Sequence, residues 1–520
     1  MEGRHICLPG SLVTPMRLRF RSLQFLVVLA LFSLPLLAQT PAETITIDAD
    51  APTHPFPHFW EQMFGSGRAI LSLRDSYRRD LRWVYQITGF HYVRFHAILD
   101  DDVGIYSEDK QGRPIYNFSY VDQIYDSLLA NDVKPFVELS FMPYELAARQ
   151  DLQSFWYRPN VSPPKDYAKW DAMITQFVKH LVDRYGMDEV ASWYFEVWNE
   201  PNLDFWTGTP KQESYFELYD HTVRDIKAVG PKLRVGGPAT AQAAWVDAMI
   251  KHATQTHVPL DFVSSHVYGN DKAADVFHTS ENIPRDQMVC RAVKKVHDEI
   301  KASALPDLPL IWSEFNAAYD NHVEVTDSIY MGPWLAATIS QCDGLTQMMS
   351  YWTFSDVFEE QGVVKEPFYG GFGVIAAGGI PKPSFYALQV LHRLGDRRIE
   401  NNSQGVLVTK TSAGALVIAL WNIANPGSTG APRTVKLGIK GVEPDSGVRV
   451  SRVDAEHGNT LALYEKMGKP RYPTQNQIRE LREQSQLPDP EYRELSDGSL
   501  TLQLPVNGLA VLQVIKTGGH

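Results

Sequence analysis

Between residues 58 and 395, short apolar runs of β character alternate with longer stretches whose apolar positions recur every three or four residues. Strands are expected at Phe59–Phe64, Tyr92–His96, Pro135–Phe141, Ser192–Asn199, Leu233–Gly237, Phe262–Tyr268, Leu310–Phe315 and Gln347–Phe354. The helical period is clearest where Tyr167, Trp170, Ile174, Phe177, Val178 and Leu181 share one face. Further helices are expected near Tyr120–Leu129, Tyr215–Val229, Asp286–Ile300 and Ser384–Leu394. Eight strand–helix units over residues 55–395 predict an α/β fold of the (β/α)8 TIM-barrel type. A doubly wound sheet shares the alternation, but it would bring a Gly-rich dinucleotide turn, and none follows the first strand.

After Leu394 the texture changes. Residues 404–461 and 498–516 alternate polar and apolar positions, so 396–520 is expected to form a smaller antiparallel β-sandwich domain. Thr44–Ile47, within residues 39–54, is expected to add a strand to it. Residues 465–494 are charged and carry prolines, as in a surface excursion or a short helix around Ile478–Arg482. At the other end, Arg17, Arg19 and Arg21 precede an apolar run from Phe25 to Leu37 that stops at Ala38. That order is the pattern of a secretory signal over residues 1–38, with Met16 as an alternative start. The run is shorter than the ~20 residues of a membrane span. A secreted or periplasmic protein is therefore expected, with no membrane partner once the signal is removed.

At 520 residues, 44% hydrophobic and 21% charged, the chain has an ordinary globular composition and the length for two domains. Loss of the signal removes four arginines and one glutamate, taking the net charge from -12 to -15. With no basic stripe, a nucleic-acid partner is excluded. Cys290 and Cys342 then remain, in no metal-binding spacing, and are expected as buried free thiols. Neither a metal nor an organic cofactor is implied, and nothing in the pattern specifies an oligomer.

The chemistry is expected at two strand ends. Phe195-Glu-Val-Trp-Asn-Glu-Pro-Asn202 closes the fourth strand, placing Glu200 where barrel enzymes keep their active sites. The bland alternative is a helix-capping or surface acid. Glu196, an even number of residues earlier, falls on the same face and deeper in the barrel. Leu310-Ile-Trp-Ser-Glu-Phe-Asn316 repeats the design on the seventh strand and ends at Glu314. Two carboxylates facing one mouth are what glycoside hydrolysis requires: an acid that later acts as base, and a nucleophile when the pair stands ~5–5.5 Å apart.

Around these acids the chain resembles glycoside hydrolase family 39, the family of β-xylosidases and α-L-iduronidases. The resemblance rests on Val93–Asp102, Ser265–Gly269, Ser350–Glu360, Phe368–Gly373 and Pro381–Ser384, in that order. It implies Glu200 as general acid/base and Glu314 as nucleophile. It also implies Asn199 on the sugar 2-hydroxyl, His96 on sugar hydroxyls, and His266 and Tyr268 orienting Glu314 or touching sugar. Arg94 is expected as a counter-charge to Glu314, or else as one partner of a structural ion pair. Trp352 offers an apolar platform to a pyranose or packs in the core. Glu359 and Glu360 are expected to supply at least one grip on sugar hydroxyls. The run Asp100–Asp102 is expected as a solvated turn rather than a cation site. Phe315 and Ala97 stand where the family commonly has Trp and Gly, and both are expected near the sugar.

A uronidase needs a cation for its substrate carboxylate. Tyr268 stands where an iduronidase-like chain would carry Lys, and Gly370–Gly373 offers no arginine. A neutral oligosaccharide or glycoside substrate is therefore expected, with xylose release from xylo-oligosaccharides foremost. Other family 39 specificities (β-galactoside, β-glucoside, α-L-arabinopyranoside, or endo action on polysaccharide) are the alternatives. A non-catalytic carbohydrate-binding barrel is disfavoured because both acids are present.

Overall fold

A computed structural model describes residues 42–515. The expected signal segment lies outside the described residues. Eight parallel strands close into a barrel: Met63–Gly65, Tyr92–Phe95, Lys134–Glu138, Tyr194–Glu196, Arg234–Thr240, Phe262–Tyr268, Leu310–Asn316 and Met348–Tyr351. Each overlaps its expected segment. The first is shorter than expected, because Phe59–Glu61 forms a 3-10 turn that leads into the strand. Apolar bulk alone does not separate a buried turn from a buried strand.

The intervening helices follow the periodicity. In the helix Tyr167–Tyr185, the Asp166 side chain caps the N-terminus by accepting from Ala168 N–H, and Gly186 at φ 85° ends it. Its apolar face, with Trp170, Ile174, Phe177, Val178 and Leu181, is buried against the barrel. The last barrel helix, Pro383–Leu391, starts with proline in its first turn and ends earlier than expected near Leu394.

Inside the barrel, side chains form layers. Met63, Phe136, Tyr194, Phe262, Ile311 and Met348 make an apolar floor. Above them come Arg94, Glu138 and Glu196, each two residues further along its strand and fully buried. The seventh strand breaks this count. Its pairing with the sixth runs Ser265 to Trp312 and then His266 to Glu314, so one residue of the seventh strand is passed over. Such a bulge re-aims the side chains beyond it. Glu314 turns inward, while Phe315 turns out and stacks on Trp334 with ring centroids 6.0 Å apart. Phe315 therefore packs in the helix layer, not near the cavity as expected.

Beyond the barrel, seven strands from Thr53–Pro55 to Gly508–Ile515 form one sheet, and Glu43–Asp48, Arg433–Lys440 and Ser499–Leu504 form a second. Alternate residues of both, such as Ile45, Val408, Ile418, Leu437, Val450 and Leu502, share one apolar core, which makes the unit a sandwich. Glu43–Asp48 pairs parallel with Arg433–Lys440, a departure from the otherwise antiparallel pairing in these two sheets. Between Val453 and Glu491 two helices appear, Thr460–Lys466 and Gln475–Gln484, the second opened by a Thr474–Gln477 capping box. Cys290 and Cys342 form a disulfide, their Cα atoms 5.1 Å apart, where free thiols are expected from sequence. Residues 52 apart in the chain meet because the helices Arg285–Lys301 and Met331–Cys342 pack side by side.

Candidate active site

At the C-terminal mouth of the barrel, a cavity of about 440 Å³ is walled by His96, Asn199, Glu200, His266, Tyr268, Glu314, Trp352 and Glu360. One carboxylate oxygen each of Glu200 and Glu314 and a ring nitrogen of His266 lie within 4.8 Å of one another. Glu314 accepts from Arg94 Nη1 on Oε1 and from the Tyr268 hydroxyl on Oε2, both at 2.6 Å. Burial pushes the Tyr268 phenol well above its ordinary range, with the charges of Glu314 and Glu200 adding to it, so the phenol remains a donor.

Glu200 is in a different environment. Burial raises its carboxyl well above the ordinary range, and repulsion from Glu314 and Asp271 adds to this while Arg94 opposes it. A carboxylic acid that must begin protonated at neutral pH needs such a setting. Its nearest partner is His266 Nδ1 at 3.0 Å; the same nitrogen stands 3.7 Å from Glu314. Thus His266, expected against Glu314 or sugar, chiefly orients Glu200. Burial and the nearby Arg94 push its imidazole well below its ordinary range, so it works as a neutral ring, with Nε2 3.1 Å from Ser313 Oγ.

Arg94 is the hub beneath the cavity. Besides Glu314 it donates to Glu196 at 2.6 Å and to Asn199 Oδ1 at 3.0 Å, and it forms an ion pair with Glu138 at 2.8 Å. Both readings of Arg94 therefore coincide in one side chain: it neutralises Glu314 and ties four strands together. Because Asn199 spends its carbonyl oxygen on Arg94, its amide N–H groups are the ones left for the cavity. Glu138, not singled out in the sequence, pairs with Arg94 and with His96 Nδ1 at 2.6 Å. Burial opposes its charge, but those two neighbours hold its carboxyl below the ordinary range. His96 is left with Nε2 in the cavity, 3.6 Å from Glu360 and 3.8 Å from Glu314.

Glu359 and Glu360 part company. Glu360 lines the cavity, its carboxyl raised well above the ordinary range by burial and by Glu314 and Glu200. Glu359 faces away and takes Arg74 Nη1 at 2.6 Å and Arg68 Nη1 at 3.4 Å, tying the eighth loop to the first. A sugar-binding role for Glu359 is thus replaced by a loop-anchoring one, since both its oxygens are spent on arginines. Asp100, Asp101 and Asp102 do not converge either: Asp101 accepts from Tyr144 N–H and Asp102 from Arg68 Nε. Asp100 is more buried than a solvated turn implies, and burial beside Asp102 pushes it up to about 7.

Trp352 lies 4.8 Å from His96, centroid to centroid, with the Arg94 guanidinium carbon 5.8 Å from its ring. Gly65 makes its position possible, since a Cβ there would stand 2.2 Å from Trp352 Cε3. Ala97, in the left-handed region at φ 69°, shows why glycine suits that position. The wall beside Trp352 includes Phe372, on a loop held by a buried ion triad: Lys382 Nζ lies 2.6 Å from both Asp327 and Asp356. Asp327 and Asp356 also accept from Gly370 and Gly373 N–H, which explains why Phe368–Gly373 and Pro381–Ser384 travel with the catalytic motifs. Asp271, Asp275, Gln242, Tyr319 and Phe155 also line the wall. Apart from Phe155 they come after the ends of the fifth, sixth and seventh strands, and that position was the one signal the sequence offered.

A sequence model of glycosyl hydrolases family 39 matches residues 43–495. The chain belongs to that family. The glycosidase is 36% identical to a β-xylosidase of Geobacillus stearothermophilus over 471 residues, 88% of this chain and 93% of that one. Its fold superposes on a monomeric β-xylosidase from Caulobacter crescentus CB15 with a TM-score of 0.83 and 32% identity, covering 92% of this chain and all of that one. A mouse α-L-iduronidase matches at 24% identity over 290 residues, 51% of this chain and 42% of that one.

Proposed function

We propose that the glycosidase is an exo-acting β-xylosidase that hydrolyses with retention of configuration. The observation that carries the mechanism is the approach of Glu200 and Glu314 within 4.8 Å. Measured between nearest oxygens, this approach favours the ~5–5.5 Å carboxyl spacing of retaining pairs over the ~6.5–9.5 Å that an inverting pair needs to admit a water. Glu314 attacks the anomeric carbon as the bond to the leaving oxygen breaks, and Glu200 gives that oxygen its proton. Water then attacks the glycosyl ester, Glu200 takes a proton from it, and Glu314 leaves as carboxylate. Asn199 and His96 are assigned to the sugar hydroxyls and Trp352 to the ring face.

Substrate charge supports a neutral sugar. The cavity wall carries Glu200, Asp271, Asp275, Glu314 and Glu360 against Lys272 as its one lysine or arginine, a poor setting for a uronate. The greater identity and coverage to the β-xylosidase than to the iduronidase point the same way. The cavity volume of about 440 Å³ is in keeping with exo action. Export is proposed as well, because the Cys290–Cys342 bridge suits an oxidising compartment.

The test is a panel of p-nitrophenyl glycosides, with the first-formed anomer followed by NMR. A dominant β-xyloside rate and initial release of β-xylose are expected. A uronide preference would overturn the sugar, and initial α-xylose would overturn retention. Glu314→Ala with azide should give the inverted azido sugar; azido product of retained configuration would exchange the two roles.

A further inference from the structure

The opposite end of the barrel carries a cluster that glycoside hydrolysis does not use. The turn Phe59–Glu61 leads into the first strand and buries Glu61 to 3% exposure. His392 comes directly after the last barrel helix. Together with His58, they bring one carboxylate oxygen and two imidazole nitrogens within 4.8 Å of one another.

The hydrogen bonds define what each atom offers. His58 Nε2 lies 3.0 Å from the Leu394 carbonyl oxygen, which can only accept. Nε2 therefore carries a proton, and in the neutral ring Nδ1 turns a lone pair toward Glu61 Oε1, itself an acceptor. His392 Nδ1 reaches the same oxygen at 2.9 Å. Glu61 Oε2 is buried with no hydrogen-bond partner among the described residues. Facing lone pairs are satisfied by a cation between them, either a proton or a metal ion, and the unpartnered Oε2 leaves a further donor atom for a metal. An imidazole whose far N–H donates to a backbone carbonyl is the usual outer support of a metal-bound histidine. The His58 ring is further fixed by stacking on Trp60, centroids 4.4 Å apart.

We infer that His58, Glu61 and His392 form a binding site for a divalent cation of the zinc class. Two imidazoles and one carboxylate select Zn²⁺, Ni²⁺ or Cu²⁺ over Mg²⁺ and Ca²⁺, which favour all-oxygen sites. Bonds of about 2.0–2.2 Å place tetrahedral ligand atoms roughly 3.3–3.5 Å apart, so both imidazoles, now in direct contact with Glu61 Oε1 (His392 Nδ1 at 2.9 Å), draw back by about 1 Å or less to admit the ion. The half-exposed His392 side chain gives the ion access from solvent and leaves a fourth position for water. The bound ion would pin the lead-in of the first strand to the exit of the last helix, where the barrel's two chain ends meet. It is a clamp, remote from the catalytic mouth.

The test uses purified enzyme stripped with chelator and titrated with ZnCl₂ by calorimetry, with thermal unfolding and aryl-glycoside turnover in parallel. One tight equivalent is expected, with Tm rising with zinc concentration by mass action and kcat/KM unchanged. H392Q alters a half-exposed ring and keeps a polar side chain beside Glu61, so it should keep its circular dichroism and turnover while losing zinc affinity roughly tenfold or more. Co²⁺ in the same site should give visible d–d bands that H392Q abolishes. Absence of saturable zinc binding would overturn the inference and leave a protonated His–Glu pair. So would binding that survives H392Q but vanishes in E200Q, because Glu200, His266 and Glu314 form the other such cluster among the described residues.

Discussion

Replacing Gly65 by alanine should strike the active site without touching a catalytic group. The new methyl would sit 2.2 Å from Trp352 Cε3 and 2.7 Å from Cζ3. Ordinary contact begins at about 3.4 Å, so the indole must move by about 1.2 Å. Its backbone cannot yield easily: Trp352 N–H donates to Phe315 O, and Asn316 Nδ2 donates to the Trp352 carbonyl. The displacement therefore goes into side-chain rotation, into the space assigned to the sugar. Overpacking of this kind costs about 1–3 kcal/mol of stability, and a misplacement of about 1 Å in a positioning group can cost ~100-fold in rate. The expected result for Gly65→Ala is a folded enzyme with modestly lowered Tm and kcat/KM on β-xyloside down about 100-fold, equivalent to about 2.7 kcal/mol. Wild-type kcat/KM together with wild-type Tm would refute the placement of Trp352 against the sugar.

Asp271 is pushed up to about 6 by burial, and its charge helps to raise Glu200. Asp271→Asn should therefore lower the Glu200 pKa and move the alkaline limb of the kcat/KM–pH profile to lower pH; an unmoved limb would dissociate Asp271 from the acid. Glu200 has a raised folded-state pKa, so its protonated form stabilises the fold at low pH, and that contribution is lost as pH climbs from the ordinary glutamate range through the raised value. Glu200→Gln should accordingly show a Tm advantage over the wild type that widens across this window; a pH-independent difference would contradict it. The Cys290–Cys342 bridge spans 52 residues, for which loop-closure entropy gives about 4 kcal/mol. Cys342→Ser or full reduction should lower Tm measurably, and equal Tm values for oxidised and reduced enzyme would count against the bridge.

The barrel was legible because its strands are apolar runs of the right length separated by helical periods, and the two carboxylates of its mouth because each ends such a run. What escaped depended on geometry that spacing does not encode. Glu138 lies within an apolar strand and gains meaning only beside Arg94 and His96. Glu359 and Glu360 are adjacent and equally acidic; the loop's path, pinned by Arg74, decides which enters the cavity. The bulge that turns Phe315 outward has no sequence signature, and the family resemblance alone placed that residue near the sugar. The cysteines pair because two helices pack together, a tertiary event beyond any local pattern.

The apolar floor has a consequence for traffic. With Met63, Phe136, Tyr194, Phe262, Ile311 and Met348 filling the lower barrel, the cavity opens toward the C-terminal mouth. In the proposed double-displacement scheme the aglycone must depart through that mouth before hydrolytic water can take its place, and the glycosyl group released from Glu314 leaves last. The released sugar and the next substrate therefore queue at the same mouth. Free xylose should act as a competitive inhibitor, and a crowded doorway, in which an alcohol arrives ahead of water, turns hydrolysis into glycosyl transfer.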